Sequence, residues 1–514
     1  MAMAASMRVP WLCGAALVAT AVAQQPQFEP FPFGGQALLP PMPVYDDIAY
    51  PLTGDIDGDG RSDLVIVSSA GLAVDYALGD GSYIVSLDPN VLLAARLAAA
   101  KLVDWDRDGA LDLLVVQDGE PATPLPSLLY AFHNQGGALP LAQTVSLGTT
   151  TRTIAMDPLR VADVDGDGDT DVLVASGSGT QLVRNAGGSF LAPTVAVAGA
   201  WPAFELLDAD GDGDLDLVQG DSTSIRLFAN DGTGVFTFAT TVHTGTALNM
   251  TGFGAVDLDR DGDLDLFAAM VGVFRNDGNR HFTNITQTSL PRAYDTTWSS
   301  VVRCADFDGD GITDVLLPGA RPMQFQPLGV LLQGNGNGTF TDISTRLQPA
   351  LANHNFNVGL LDVGDVDDDG DVDILAWHRT SFPPYDFVLA NHHRQVVLAT
   401  PLQLGQIAHF DIFGRPSYAV PRTSWLAAAL GPVGRPFALA GIDGRVLIDP
   451  TDPLIVGVTA HTTATTGHDV LDVAVPQASY LIGLTVWFEA MMIPDPGVPV
   501  LPGLTNAVSG YIIP

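Results

Sequence analysis

The chain has 514 residues, 54 of them glycine and 36 proline, with 47% hydrophobic and 16% charged residues. That composition excludes a disordered chain and a single small domain, and fits a loop-rich globular protein of several units. Asp and Glu number 58 against 22 Lys and Arg, a formal charge of −36, so nucleic acid and anionic membranes are excluded as natural partners and cations are welcomed.

Residues 1–23 read as a signal peptide. Arg8 supplies a positive charge, Val9 to Val22 is largely apolar, and Ala21-Val22-Ala23 is a small-residue cleavage site. The run is too short to span a bilayer and no second apolar segment of about 20 residues follows, so a secreted or cell-surface protein with no transmembrane segment is expected. Cys13 falls in the signal, which leaves Cys304 alone and no internal disulfide. Residues 24–45 are expected to be a linker or a strand that closes a ring.

Between residues 46 and 400 the spacing Asp-x-Asp-x-Asp-Gly-x-x-Asp occurs seven times: DIDGDGRSD (55–63), DWDRDGALD (104–112), DVDGDGDTD (163–171), DADGDGDLD (208–216), DLDRDGDLD (257–265), DFDGDGITD (306–314) and DVDDDGDVD (365–373). These loops hold 28 of the 58 acidic residues. Carboxylates so close repel one another unless a cation joins them. Positions 1, 3 and 5 can converge on one ion when glycine at position 6 allows a sharp turn; position 7 then gives its carbonyl, and the aspartate at position 9 closes the shell. Calcium is expected, because it accepts many oxygens in flexible geometry, whereas magnesium prefers octahedra with several waters and zinc prefers His or Cys, absent from the loops.

The expected ligands follow copy by copy. The first has Asp55, Asp57, Asp59, Asp63 and the carbonyl of Arg61; the second has Asp104, Asp106, Asp108, Asp112 and that of Ala110. The third has Asp163, Asp165, Asp167, Asp171 and the carbonyl of Asp169; the fourth has Asp208, Asp210, Asp212, Asp216 and that of Asp214. The fifth has Asp257, Asp259, Asp261, Asp265 and the carbonyl of Asp263. The sixth has Asp306, Asp308, Asp310, Asp314 and that of Ile312; the seventh has Asp365, Asp367, Asp369, Asp373 and that of Asp371. Up to seven structural calcium ions are expected. The second copy, with Trp105 and Arg107 inside it, is expected to be the weakest.

Each copy runs into a β-type stretch such as Leu64-Val65-Ile66-Val67 or Leu113-Leu114-Val115-Val116. A second run follows and ends in an Asn/Gly/Asp hairpin, as in LFANDGTGVF (227–236) or VFRNDGNRHF (273–282). With the apolar run before each loop, about four short strands recur seven times. The fold class expected is all-β: a seven-bladed β-propeller with calcium loops, followed by a small C-terminal β-sandwich-like domain. Only Val91–Leu102 has a helical period, as a short insert.

The loops and hairpins resemble the FG-GAP or VCBS-type repeat, the blade of the integrin α-chain propeller and of many secreted bacterial proteins. The resemblance covers about residues 46 to 400 and is closer to the bacterial form, because the FG-GAP letters themselves are poorly kept. It implies that each loop joins the first and second strands of a blade. It further implies that Asp55, Asp104, Asp163, Asp208, Asp257, Asp306 and Asp365 each open a structural calcium site. Similar propellers bind glycans or proteins, and a few, such as some rhamnogalacturonan lyases, are enzymes.

From about residue 401 to 514 the loops stop, and strand-like pieces (Phe437–Ile442, Arg445–Ile448, Leu454–Thr459, Ser479–Glu489) suggest the sandwich. The ending from Trp487 resembles the C-terminal module of many exported bacterial proteins. No G-x-S-x-G, H-E-x-x-H or Walker loop is present, Lys101 is the only lysine, and His392-His393 and Cys304 read as a surface turn and a buried strand residue. The chain is therefore expected not to be an enzyme but an adhesion or ligand-binding scaffold for an extracellular glycan or protein. Trp201, Trp298 and Trp377 are the aromatic candidates for stacking on sugars, although packing between blades explains them as well. Two alternatives remain: a calcium-dependent lyase-like enzyme, and a spacer that displays the C-terminal module.

Overall fold

The structure is a computed structural model, which describes residues 29–30 and, apart from some connecting loops, 50–513. Residues 1–28, 31–49, 308–310 and 367–371 lie outside the description, and with them the signal-peptide reading and several expected ligands. The described residues divide into two compact units, 27–392 and 393–514.

The first unit is an all-β propeller. Six blades, not the expected seven, are built in the expected way from four consecutive antiparallel strands. The first blade runs Tyr50–Gly54, Asp63–Ser68, Gly71–Ala77, Tyr83–Asp88, and the pattern repeats to the sixth, Arg303–Ala305, Asp314–Pro318, Gly329–Gly334, Phe340–Asp342. The seventh acidic loop belongs to a sheet of different construction. Three consecutive strands, Val358–Gly364, Asp373–His378 and Asp386–Ala390, are joined at the outer edge by Glu29–Pro30, paired with Leu389 and Ala390. The physical reason is the edge: the outer side of Asp386–Ala390 takes its pairing, at Leu389 and Ala390, from chain far upstream.

First strands of neighbouring sheets lie against one another, and Tyr50–Gly54 lies against Val358–Gly364 as well as Leu97–Val103. Two cross-blade ion pairs join this innermost layer: Arg160 to Glu205 through two nitrogens (2.8 and 3.0 Å), and Arg303 to Asp362 (3.3 Å). Second strands such as Asp112–Gln117 and Asp171–Ser176 are buried along their length and apolar between a polar first and last residue. Outer strands such as Leu141–Gly148 are largely exposed. Leu97–Val103, part of the expected helical insert, is the innermost strand of the second blade; sheet packing on both faces overrides its Leu/Ala helical preference. Cores form between blades. Val65, Val67 and Val74 of the first meet Leu113, Val115 and Phe132 of the second.

The second unit is also all-β. A four-stranded sheet of Leu454–His461, Arg422–Ala429, Thr485–Pro494 and Gly503–Tyr511 accompanies a three-stranded one of Val396–Leu398, Ile407–Phe413 and His468–Ala474. Phe410, Ile412, Leu426, Phe488 and Met492 share one core. Ser479–Leu481, expected within a strand, is a single 3-10 turn, and the strand starts at Thr485. Glu489 is buried with its carboxylate accepting from Leu447 N and Ile448 N (both 3.2 Å), and burial pushes its carboxyl up to about 8.

Candidate metal centre

Every acidic loop joins the first strand of a sheet to the second, and its shape is written in hydrogen bonds from backbone amides to its own aspartates. At position 1, Asp55 accepts from Gly58 N (2.8 Å) and Gly60 N (2.9 Å). Asp163 and Asp208 repeat this with Gly166 and Gly168, and with Gly211 and Gly213. Both donors in these copies have a positive φ, from 73° to 92°, where glycine is unstrained. In the second and fifth loops position 4 is Arg107 (φ 63°) or Arg260 (φ 65°), held in the left-handed region at a cost. Position 5 closes a shorter turn, as from Arg61 N to Asp59 (2.8 Å).

The aspartate at position 9 opens the second strand and is the pivot of the blade. Asp63, Asp112, Asp171, Asp216, Asp265, Asp314 and Asp373 are all buried. One carboxylate oxygen accepts from the amide of position 2, as in Ile56 N to Asp63 (2.9 Å) and Leu258 N to Asp265 (2.9 Å). The other accepts from the end of the third strand: Ala77, Asn134, Asn185, Asn230, Asn276, Gly334 or Asn391, at 2.7 to 2.8 Å. Burial pushes Asp63 and Asp171 up to about 6 and Asp265 up to about 7, against the pull of those amides. Asp112 and Asp216 are raised by the same cause.

At position 3 the third, fourth and fifth loops each leave one carboxylate oxygen without a donor. The Oδ1 atoms of Asp165, Asp210 and Asp259 are buried and accept no hydrogen bond, as is Oδ1 of Asp104 at position 1 of the second loop. Desolvation raises Asp57, Asp210 and Asp259, and neighbouring aspartates add to it. Candidate ligand atoms of Asp55, Asp57 and Asp63 lie within 4.8 Å of one another, as do those of Asp163, Asp165 and Asp171, of Asp104, Asp106 and Asp108, and of Asp208, Asp210 and Asp212. Oxygens on opposite sides of one calcium ion stand about 4.6–5.2 Å apart, so each group fits a single ion. Buried oxygens that lack a donor and crowd this closely suit an oxygen-seeking cation. The structure thus brings positions 1, 3 and 9 together in the first and third loops and positions 1, 3 and 5 in the second and fourth. Asp308, Asp310, Asp367, Asp369 and Asp371 lie outside the described residues.

Two kinds of residue escaped the sequence reading. His133, from the end of a third strand, brings Nδ1 to 3.0 Å from Asp106 and 3.4 Å from Asp112, so the second loop has a nitrogen beside it although its own segment has none. Five asparagines also act as latches between blades. Asn134 Nδ2 donates to Ile56 O (2.7 Å), Asn185 to Trp105 O (2.6 Å), Asn230 to Val164 O (2.8 Å), Asn276 to Ala209 O (3.3 Å) and Asn391 to Phe307 O (2.6 Å). Each acceptor is the position-2 carbonyl of an acidic loop in a neighbouring blade, and each of those position-2 side chains is buried. The signal was present, since an Asn stands at or just past the end of each of these strands, but it read only as hairpin chemistry.

The remaining candidates are less informative. Trp201 and Trp298 lie outside the described residues, and Trp377 is placed only as part of Asp373–His378. Trp105, inside the second loop, is buried against Phe190 (ring centroids 5.3 Å apart). Cys304, expected to be buried, is half-buried in its strand and faces Gly254 of the adjacent blade, where desolvation pushes its thiol up to about 12. No helix among the described residues is long and apolar enough to cross a membrane.

Against this geometry, the FG-GAP-like repeat family matches five stretches, 55–115, 104–174, 163–219, 208–268 and 269–317, together just over half of the chain. The chain belongs to the FG-GAP-like repeat family. In this FG-GAP-like repeat protein four of the five matched units open on an acidic loop, and all four reach through the next loop into the second strand beyond it. No curated protein matches the chain. Among solved structures it is similar to BBS1N in complex with ARL6DN (13% identity, 66% of this chain and 93% of that one, TM-score 0.42). It is also similar to the V. cholerae biofilm matrix protein Bap1 (12%, 95% and 71%, TM-score 0.28) and to an exo-beta-1,3-galactanase from Phanerochaete chrysosporium (6%, 90% and 95%, TM-score 0.28). At these scores none of the three bears on what this chain binds.

Proposed function

We propose that this chain is an exported scaffold whose ring of blades is braced by calcium and which binds an extracellular glycan or protein without catalysing a reaction. One observation carries the reading: the acidic loops bury carboxylate oxygens that have no donor, packed closely enough for one ion to touch several. The carboxylates of positions 1, 3, 5 and 9 would hold the ion, with the carbonyl of position 7. The ion would supply the positive charge that lets buried aspartates ionise together. The chain's own residues do the rest. Position 1 sets the turn, position 9 ties loop, second strand and third strand together, and the asparagine latches pass the rigidity to the next blade.

In this reading the sheet of Val358–Gly364, Asp373–His378 and Asp386–Ala390 with Glu29–Pro30 is the seventh blade, so that both ends of the propeller chain meet in one sheet and the ring is clasped there. The C-terminal unit is a sandwich-like module carried by that ring. A rigid ring with exposed outer strands and hairpins is a binding platform, and its ligand surface is separate from the acidic loops. Probing glycan and extracellular-protein arrays with the full chain tests it: ligand capture in calcium that weakens on chelation supports the scaffold. Turnover of a polysaccharide in the presence of calcium would replace it with the lyase-like alternative.

A further inference from the structure

The acidic loops are not equivalent, and the difference lies in one hairpin position. Where a hairpin of one blade passes the loop of the blade before it, its turn residue packs on the position-3 aspartate. A Cβ added at Gly137 would stand 3.4 Å from Cβ of Asp57; at Gly188, 3.2 Å from Cβ of Asp106; at Gly234, 3.4 Å from Cβ of Asp165; at Gly338, 3.9 Å from Cβ of Asp259. All four are glycines with positive φ. The fifth blade has Arg280 in this place. Its φ is 64°, strained for a residue with a side chain, and its amide donates to Ala209 O (2.9 Å) as the amide of Gly338 does to Leu258 O (2.9 Å).

The side chain that this strain supports enters the fourth acidic loop. Arg280 Nη2 is 2.8 Å from Asp210 Oδ2 and 3.4 Å from Asp212 Oδ2, and its Nε is 3.4 Å from Asp216 Oδ2. Those are positions 3, 5 and 9. Other arginines stay at the side of a loop: Arg184 reaches only Asp165 (2.9 Å) in the third, and Arg275 only Asp259 (3.9 Å) in the fifth. Among the described residues Arg280 alone brings a permanent positive charge to three carboxylates of one acidic loop.

We infer that Arg280 is a built-in counter-ion that takes the place of calcium in the fourth loop, so that this loop is braced by a side chain while its sisters are braced by metal. The inference rests on the calcium reading above. A guanidinium satisfies the same carboxylates through charge-assisted hydrogen bonds, and a divalent ion would have to displace it from among them. It also spans two blades, from the hairpin of the fifth to the loop of the fourth, and so works as a cross-blade staple that chelators cannot remove.

The test counts calcium bound per chain at saturation in the full protein. Arg280→Gly, which restores the residue of the four sister hairpins, is expected to bind one more ion than the wild type. Asp210→Asn in the otherwise unchanged chain is expected to lose none, and Asp57→Asn to lose one; this pair does not depend on Arg280→Gly folding. A calcium count unchanged in Arg280→Gly, or lowered by one in Asp210→Asn, overturns the inference while the calcium reading stands. A wild type and variants that all bind no calcium overturn both.

Discussion

A buried carboxylate without a partner is costly, and Asp75 is one. It is fully buried in the third strand of the first blade, and neither oxygen has a hydrogen-bond donor. It stands opposite Leu64, at the register where the other sheets carry Phe132, Val183, Phe228, Phe274, Leu332 and Leu389. Burial pushes its carboxyl up to about 6. Its folded-state pKa is therefore above the unfolded value, so the fold is favoured at low pH and loses stability as pH rises from about 4 through about 6. Asp75→Leu is expected to stabilise the propeller unit at pH 7.5 by on the order of 2–3 kcal/mol, with a smaller gain at pH 4. Denaturant midpoints at the two values check it; equal gains would contradict it. The same logic applies to Glu489 in the C-terminal unit, raised to about 8. Glu489→Gln is expected to remove a loss of stability between about pH 4.5 and 8 in that unit. Position 4 of the loops offers a third case. Arg260→Gly relieves a left-handed residue and is expected to add about 1 kcal/mol, measured in saturating calcium.

At the scale of the element, the unit of construction is a loop with its two strands, latched to a neighbour. Asn230 shows what the latch does: its amide donates to Asp216 of its own blade, and its side chain donates to Val164 O and Leu215 O. Asn230→Ala leaves buried carbonyls without donors and is expected to cost about 1–3 kcal/mol. Asn230→Asp is expected to cost at least as much, since it adds a charge beside buried carbonyls. A change within 0.3 kcal/mol for Asn230→Ala would mean that the latch is incidental. Much of this element was legible in the sequence. The positions of the seven loops, the strand after each and the glycine turns follow from spacing and from the positive φ that only glycine adopts freely. The latches were not legible, because the carbonyls they bind lie in the preceding blade, outside any local pattern. His133 and Arg280 escaped for the same reason: a side chain that reaches a loop across a hairpin or a blade leaves no trace in that loop's own spacing.

For the whole molecule, the repeat pattern pointed to a ring and left residues 24–45 as either a linker or the strand that closes it. Six blades close within consecutive strands, and the last sheet takes its edge from Glu29–Pro30, which no periodicity marks. The C-terminal unit was harder to read, because it has no repeat and its core joins Phe410 and Ile412 to Phe488 and Met492, far apart along the chain. The central claim is that the acidic loops are structural cation sites bracing the ring. Each filled site would add stability by mass action, about 2.7 kcal/mol when free calcium is a hundred times its dissociation constant. The measurement that tests this most directly is thermal unfolding of the purified chain in excess calcium and again with a chelator, with bound calcium counted on the same sample. The account predicts several ions per chain, at most six if Arg280 fills the fourth loop, and a propeller midpoint that falls steeply on chelation. Little bound calcium with an unchanged midpoint would contradict it, and the acidic loops would then be solvated turns.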